Sequence, residues 1–163
     1  MPVVSNTSPL MNLAIIGQLG LLHRQMGTVV IPLAVREELQ LDSQLPGSDA
    51  LRQAAEAGWL EVRSVQDATL AKALERQLDR GEAEAIALAV EIQAEWLLLD
   101  EREARRAAKA LGLEVTGVIG VLLRAKQRGE LLSVRLALEE LQQRAGFRIG
   151  KELLDGVLRQ ASE

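Results

Sequence analysis

Short apolar runs alternate with longer segments of helical period along the chain. Pro2-Val3-Val4, Thr28-Val29-Val30-Ile31, Trp96-Leu97-Leu98-Leu99 and Leu113-Glu114-Val115-Thr116 are bounded by polar, Gly or Pro residues, the pattern of short buried strands. Leu60 to Val65 alternates apolar and polar positions, which predicts an edge strand. Between the strands, Ser8 reads as an N-cap and Pro9 as the first residue of a helix that Gly17 ends. Further helices are predicted at Leu19–Met26, Leu33–Leu41 after Pro32, and Asp49–Ala57 before Gly58. Asp67 caps a helix over Ala68–Leu78, which Asp79-Arg80-Gly81 breaks. The next helix is apolar around most of its circumference, because Ala83, Ile86, Ala87 and Val90 and also Ala85, Leu88, Ala89 and Ile92 keep helical spacing. It is the expected central helix. A helix follows the Trp96 strand, another spans Val118–Gln127, and a final pair covers about 134–144 and 150–160. Strands alternating with helices predict an α/β fold, a parallel sheet covered on both faces.

Length and composition narrow the picture. The chain has 163 residues, 48% hydrophobic and 26% charged, in keeping with a single domain over 1–163. The helical pair at 133–163 is a candidate appended hairpin. Aromatic residues are 2%, so the core is aliphatic and stacking platforms for bases are few. The absence of cysteine and the presence of one histidine, His23, exclude disulfides, thiolate chemistry and multi-histidine zinc sites. His23, near a helix end, reads as a surface or helix-terminal residue. The N-terminus has no basic, then apolar, leader pattern, and no window reaches the roughly 18 apolar residues of a membrane span. No membrane partner and a cytoplasmic location are the expectations. The net charge of -4 means that any nucleic-acid partner needs a local basic patch.

Acids and amides gather where strands end or helices begin: Asn6, Glu37 and Glu38, Glu82 and Glu84, Asp100 and Glu101. In a doubly wound sheet these positions share one edge, where ligands bind. Clustered carboxylates repel and call for a hard divalent cation with oxygen ligands. Each acid alone also has a structural explanation: first-turn carboxylates favour the helix dipole, and Asp100 can cap the next helix. Arg102, Arg105, Arg106 and Lys109 fall at i, i+3, i+4 and i+7, one helix face. That face suits a phosphate backbone, or equally a solvated surface paired with acids such as Glu101.

The segments VVSNTSPLMNLAIIGQLGLL (3–22), VVIPLAVREEL (29–39), the run 78–129 containing GEAEAIALA and LLLDE with a downstream VTG, and AGFRI (145–149) together resemble the PIN-domain family. The likeness is to a branch of short prokaryotic PIN-like proteins close to the VapC-type toxins. It implies a three-layer fold with a parallel sheet of about five strands and a C-terminal helical pair. It also implies a Mg²⁺ or Mn²⁺ site and hydrolysis of single-stranded RNA by a metal-activated water. By position, the family's four acids fall on Asn6, Glu38, Glu84 and Asp100, with Glu38, Glu84 and Asp100 catalytic. Ser8, Glu82 and Glu101 are supporting residues, and Arg102, Arg105, Arg106 and Lys109 contact the nucleic acid. An antitoxin partner and homodimerisation belong to the same expectation. One departure stands out: Asn6 occupies a position where many active relatives carry Asp. An amide oxygen can ligate a cation but brings no charge and cannot act as a base. The alternative is therefore a catalytically weakened PIN-like nucleic-acid-binding or regulatory module.

Overall fold

A computed structural model describes residues 2–163. Five strands, β1 (Val3–Ser5), β2 (Val29–Ile31), β3 (Leu60–Val62), β4 (Trp96–Leu98) and β5 (Val115–Thr116), pair in parallel in the order β3-β2-β1-β4-β5. The helices are α1 (Thr7–Ile15), α2 (Leu19–Met26), α3 (Leu33–Leu39), α4 (Ser48–Glu56), α5 (Thr69–Leu74), α6 (Arg80–Glu91), α7 (Arg102–Ala110), α8 (Val118–Gln127), α9 (Val134–Arg144) and α10 (Lys151–Gln160). The period of two along each strand splits the core. Val3, Val29, Ile31 and Leu98 face a layer that includes Leu10 and Leu13 of α1, Leu21 and Leu22 of α2, and Val121 and Leu122 of α8. Val4, Val30, Leu97 and Leu99 face the other, built from Ala85, Ile86, Leu88 and Ala89 of α6 and Ala104 and Ala108 of α7. The fold is the expected three-layer α/β arrangement. Val134, Leu138 and Leu141 of α9 and Val157 of α10 are buried in the first of these layers.

Chain order places a switch point between the two middle strands. From β1 the chain moves outward through β2 and β3, then crosses back to place β4 on the other side of β1. The helices that follow β1 and β4 therefore diverge to opposite layers, leaving a crevice at their carboxyl ends. Register sets what lines it. Ser5 lies beside Leu98 and Leu98 beside Thr116, so Asn6 and Gly117 emerge level with Leu99, and Asp100 follows one residue beyond at the same edge.

Several boundaries differ from the sequence pattern, each for a local reason. Helix α1 begins at Thr7 with Asn6 at the N-cap position, not at Ser8. Pro9 then sits in the first turn, where its missing N–H costs no helical bond. Helix α3 stops at Leu39 because Gln40 turns left-handed at φ 49. The segment after Asp67 is helical only over Thr69–Leu74. Asp79-Arg80-Gly81 is not a break but the start of α6, fixed by a reciprocal capping box between Asp79 and Glu82. Strand β3 is an edge strand as expected, but shorter, ending at Val62.

The start of α9 is fastened from a distance. The Glu163 carboxylate accepts hydrogen bonds from the N–H groups of Val134 (2.7 Å) and Arg135 (3.2 Å) and from the Ser133 hydroxyl (2.9 Å), and it pairs with Lys126 at 3.3 Å. Desolvation opposes its ionisation, but these four donors outweigh it and hold the carboxyl at about 2, below its ordinary 4.5. A depressed carboxyl stabilises the fold above its ordinary value and loses that contribution as pH falls toward the folded one. Glu163→Gln is expected to lower the thermal midpoint at neutral pH, with the gap to the native chain closing between 4.5 and about 2. Thermal unfolding across that range checks it.

Candidate active site

Asn6 follows β1 and is 4% exposed. Its backbone N–H donates to the Leu98 carbonyl at 3.0 Å, which ties it to β4. Although it stands at the N-cap of α1, its side chain makes no cap hydrogen bond, the role an asparagine there ordinarily takes. Its Oδ1 is instead buried without a partner. Asp100 lies two residues past β4. Its Oδ1 accepts the Val118 N–H at 3.0 Å at the start of α8, and its Oδ2 is buried without a partner. Two acceptors left orphaned at adjacent strand ends are costly, about 1–3 kcal/mol each. Burial pushes the Asp100 carboxyl above its ordinary value and Glu101 adds to this, while the Val118 N–H and the Arg105 guanidinium oppose it. Gly117 makes room for this carboxylate: a Cβ there would collide with Asp100 Oδ1 and stand 3.1 Å from the Leu99 carbonyl oxygen.

Two acids of the neighbouring helices complete the setting. Glu38, near the end of α3, accepts a 2.7 Å hydrogen bond from the Thr7 hydroxyl, one residue after Asn6. Its carboxylate packs where a side chain at Gly81 would have to sit. Glu82 is 7% exposed. One of its oxygens accepts the Asp79 N–H at 3.2 Å. Burial raises the Glu82 carboxyl, and the charges of Asp79, Glu101 and Glu38 raise it further, against the Asp79 hydrogen bond. Glu82 thus shares an acidic field with Glu38 and Glu101.

Glu84 faces elsewhere. Residues two apart on an α-helix point about 200° from one another. Both Glu84 oxygens are engaged: one accepts the Ala34 N–H at 3.2 Å at the start of α3, and the other accepts Arg80 Nε at 2.9 Å. Arg80 also reaches Glu37 at 3.5 Å, so this group braces α6 against α3. The sequence pattern does not single out Thr7, and Ser8, the expected supporting residue, makes no side-chain hydrogen bond among the described residues. The signal was the N-cap position: once α1 starts at Thr7, its hydroxyl is the one beside the strand end. His23 stacks on Trp59 at 4.7 Å and hydrogen-bonds through Nδ1 with the Gly27 carbonyl at 3.1 Å, a helix-terminal role away from the crevice.

Asp100 lies between positive charge and open space. With Arg102, Arg105, Arg106 and Lys109 it lines a cleft of about 520 Å³. Arg105 donates to the Leu99 carbonyl at 2.8 Å. Among the described residues none of these four cations forms an ion pair, so the face is not neutralised by helix neighbours such as Glu101.

The donor set is entirely oxygen, which suits a hard divalent cation rather than zinc or copper. The orphaned Asn6 Oδ1 and Asp100 Oδ2 are buried acceptors without a donor, and they fit such an ion. Glu38 and Glu82 are held by Thr7 and Asp79. Among the described residues no three Asp, Glu or His side chains stand close enough to form a metal-holding group on their own.

A family model described as DUF3368, a PIN domain, matches residues 2–163. The chain belongs to this PIN-domain family, whose fold is of the nuclease type. Its structure is similar to that of a PilT N-terminus domain protein from the hyperthermophilic archaeon Sulfolobus solfataricus. The TM-score is 0.55 at 19% identity, over 77% of this chain and 93% of that one. No curated protein matches the sequence.

The raised Asp100 carboxyl gives a signature independent of activity. A carboxyl raised by folding stabilises the native state below its ordinary value of 3.8 and loses that contribution as pH rises through the folded value. Asp100→Asn keeps an acceptor for the Val118 N–H but removes the buried charge. In chelator it is expected to melt higher than the native chain at neutral pH, with no difference at and below 3.8. Paired melting curves at the two pH values check this.

Proposed function

We propose that the protein is a divalent-metal-dependent endoribonuclease that cleaves single-stranded RNA. The observation that carries this reading is the pair of buried, unpartnered oxygens of Asn6 and Asp100 at the β1–β4 switch point. Asn6 and Asp100 are the residues that would hold Mg²⁺ or Mn²⁺ directly, with Glu38 and Glu82 reaching it through its waters. Glu82 takes the place that sequence position gives to Glu84, because Glu84 is committed to Ala34 and Arg80. Bound there, the cation would supply Lewis acidity toward a phosphate and lower the pKa of a water.

The chain's own residues supply the rest. Asp100, fixed by the Val118 N–H, and Asn6, fixed by its strand-end backbone, offer rigid oxygens at one edge. The Thr7 hydroxyl orients Glu38. Arg102, Arg106 and Lys109 on α7 line the approach to Asp100 and suit the phosphates of an extended strand, so binding weakens steeply with salt. A role as the toxin of a toxin–antitoxin pair in the cytoplasm is the natural setting for such an activity. No helix among the described residues is long and apolar enough to cross a membrane. The exposed Leu132 and Leu136 beside a groove of about 360 Å³ offer a surface for an antitoxin or a second copy.

Asn6 itself favours a second reading, a weakened PIN-like module that binds nucleic acid or regulates without efficient turnover. Its neutral amide lowers the charge available to a cation by one unit relative to an aspartate.

Incubation of end-labelled single-stranded RNA with Mn²⁺, with chelator, and with Asp100→Ala distinguishes the two. The nuclease reading expects cleavage with Mn²⁺, none with chelator, and a loss of about 100-fold or more in the variant, the scale of removing one preorganised electrostatic group. Cleavage that persists in chelator and in the variant would sink it; binding without any cleavage selects the second reading. Separately, Asn6→Asp is expected to tighten Mn²⁺ binding by about tenfold or more, since ligand charge tunes affinity. Calorimetry reads this directly, and an unchanged affinity means that Asn6 does not face the ion.

A further inference from the structure

Besides His23 the chain carries three aromatic side chains, Trp59, Trp96 and Phe147. Two are occupied: Trp59 stacks on His23, and the Arg124 guanidinium lies 5.6 Å over Trp96. Phe147 has neither kind of partner among the described residues. It belongs to the AGFRI segment, which the acid site leaves unexplained. Gly146 turns left-handed at φ 67, and the Phe147 N–H donates to the Leu141 carbonyl at 3.0 Å. These two features direct the chain out of α9 and set the ring's place.

Half-buried, Phe147 lines a cleft of about 410 Å³ with Asp100, Arg105, Ile119, Leu123 and Arg148. Asp100 and Arg105 also line the basic cleft of α7, so the two clefts meet at the acid site. Ile119 and Leu123 give the second cleft an apolar wall. Gly117 and Gly120, which also line it, leave the wall bare of side chains where α8 begins. A Cβ at Gly120 would collide with the Thr116 hydroxyl, so that position is closed to larger residues without rearrangement. Arg148 is exposed and forms no ion pair among the described residues.

An apolar wall, one ring that packs on the core but has no aromatic or cationic partner, and two guanidinium groups, opening onto the carboxylate that would hold the cation, match one unit of a single strand: a flat base joined to an anionic backbone. We propose that this cleft is a base-binding subsite, with Phe147 stacking on the base of a nucleotide next to the scissile phosphate and Arg148 contacting its backbone. Phe147 is thereby a specificity-determining residue. It selects unpaired strands, because a base held in a duplex has no free face to offer. The proposal rests on the nuclease reading of the Asp100 site, and its test is separable from that reading.

The test measures binding by the full chain in chelator, where no turnover is expected. The probes are a short fluorescein-labelled oligouridylate and an abasic ribose-phosphate strand of equal length. Phe147→Ala is expected to weaken the base-bearing strand by about 5- to 150-fold, the equivalent of one stacked base, and to leave the abasic strand unchanged. Phe147→Leu, which keeps the apolar volume, shows the same selectivity if the alanine variant fails to fold. Arg148→Gln weakens both strands and lowers the salt dependence. In the native chain, 5-iodouridine photocrosslinking places the adduct on the peptide that contains Phe147. Equal losses for the two strands, no loss for either, or adducts confined to other segments would overturn the subsite. If the native chain cleaves RNA in Mn²⁺ and yet binds the abasic strand as tightly as the oligouridylate, the subsite fails and the nuclease reading stands. If it binds neither strand and cleaves nothing, both fall.

Discussion

The parallel pairing of β1 with β4 is the constraint on which the rest depends. Ser5 lies beside Leu98, and the Asn6 N–H continues the ladder to the Leu98 carbonyl. That register delivers two polar side chains to the same edge with an unmet acceptor on each. A folded chain rarely leaves two such atoms together, because each forfeits a hydrogen bond that water would have supplied. Here the surrounding structure maintains them. Gly117 makes room for the Asp100 carboxylate, Val118 pins its Oδ1, and Thr7, next to Asn6, holds Glu38. The crevice thus holds two unpaired acceptors between the aliphatic layers on both faces of the sheet.

Helix α6 makes this possible by being small. Gly81, Ala83, Ala85, Ala87 and Ala89 are all buried, which lets the helix lie close to the sheet and to α3. Close approach at Gly81 brings the Glu38 carboxylate against the first turn of α6, where Glu82 closes the capping box with Asp79. The same carboxylate that completes a structural cap therefore also contributes to the acidic field. On the opposite face, Glu84 and Arg80 brace the helix against α3. One helix carries both duties because Glu82 and Glu84 point to different sides.

Much of this was legible in the sequence. The alternation of apolar runs with helical segments gave the three layers, and α2, α8 and α9 have the boundaries that their periodicity predicts. The strand ends placed Asn6 and Asp100 at a common edge. Less legible was which of two glutamates in GEAEA turns inward, because an all-round apolar helix has no polar face from which to read direction. Only contacts with Asp79, Ala34 and Arg80 decide it. The role of Asp79-Arg80-Gly81 was hidden similarly: a Gly reads as a breaker unless something is known to pack against it. The low aromatic content argued against base stacking, but a count cannot reveal that two of three rings have partners and the third lies in a cleft beside Asp100.

The most direct measurement is the anomalous scattering of a crystal of the protein soaked in Mn²⁺. The account predicts one strong peak at the β1–β4 switch point within about 2.0–2.3 Å of Asn6 Oδ1 and Asp100 Oδ2, with Glu38 and Glu82 turned toward it directly or through water. A peak held by Glu84, or none at this edge while Mn²⁺ binds elsewhere, would contradict it.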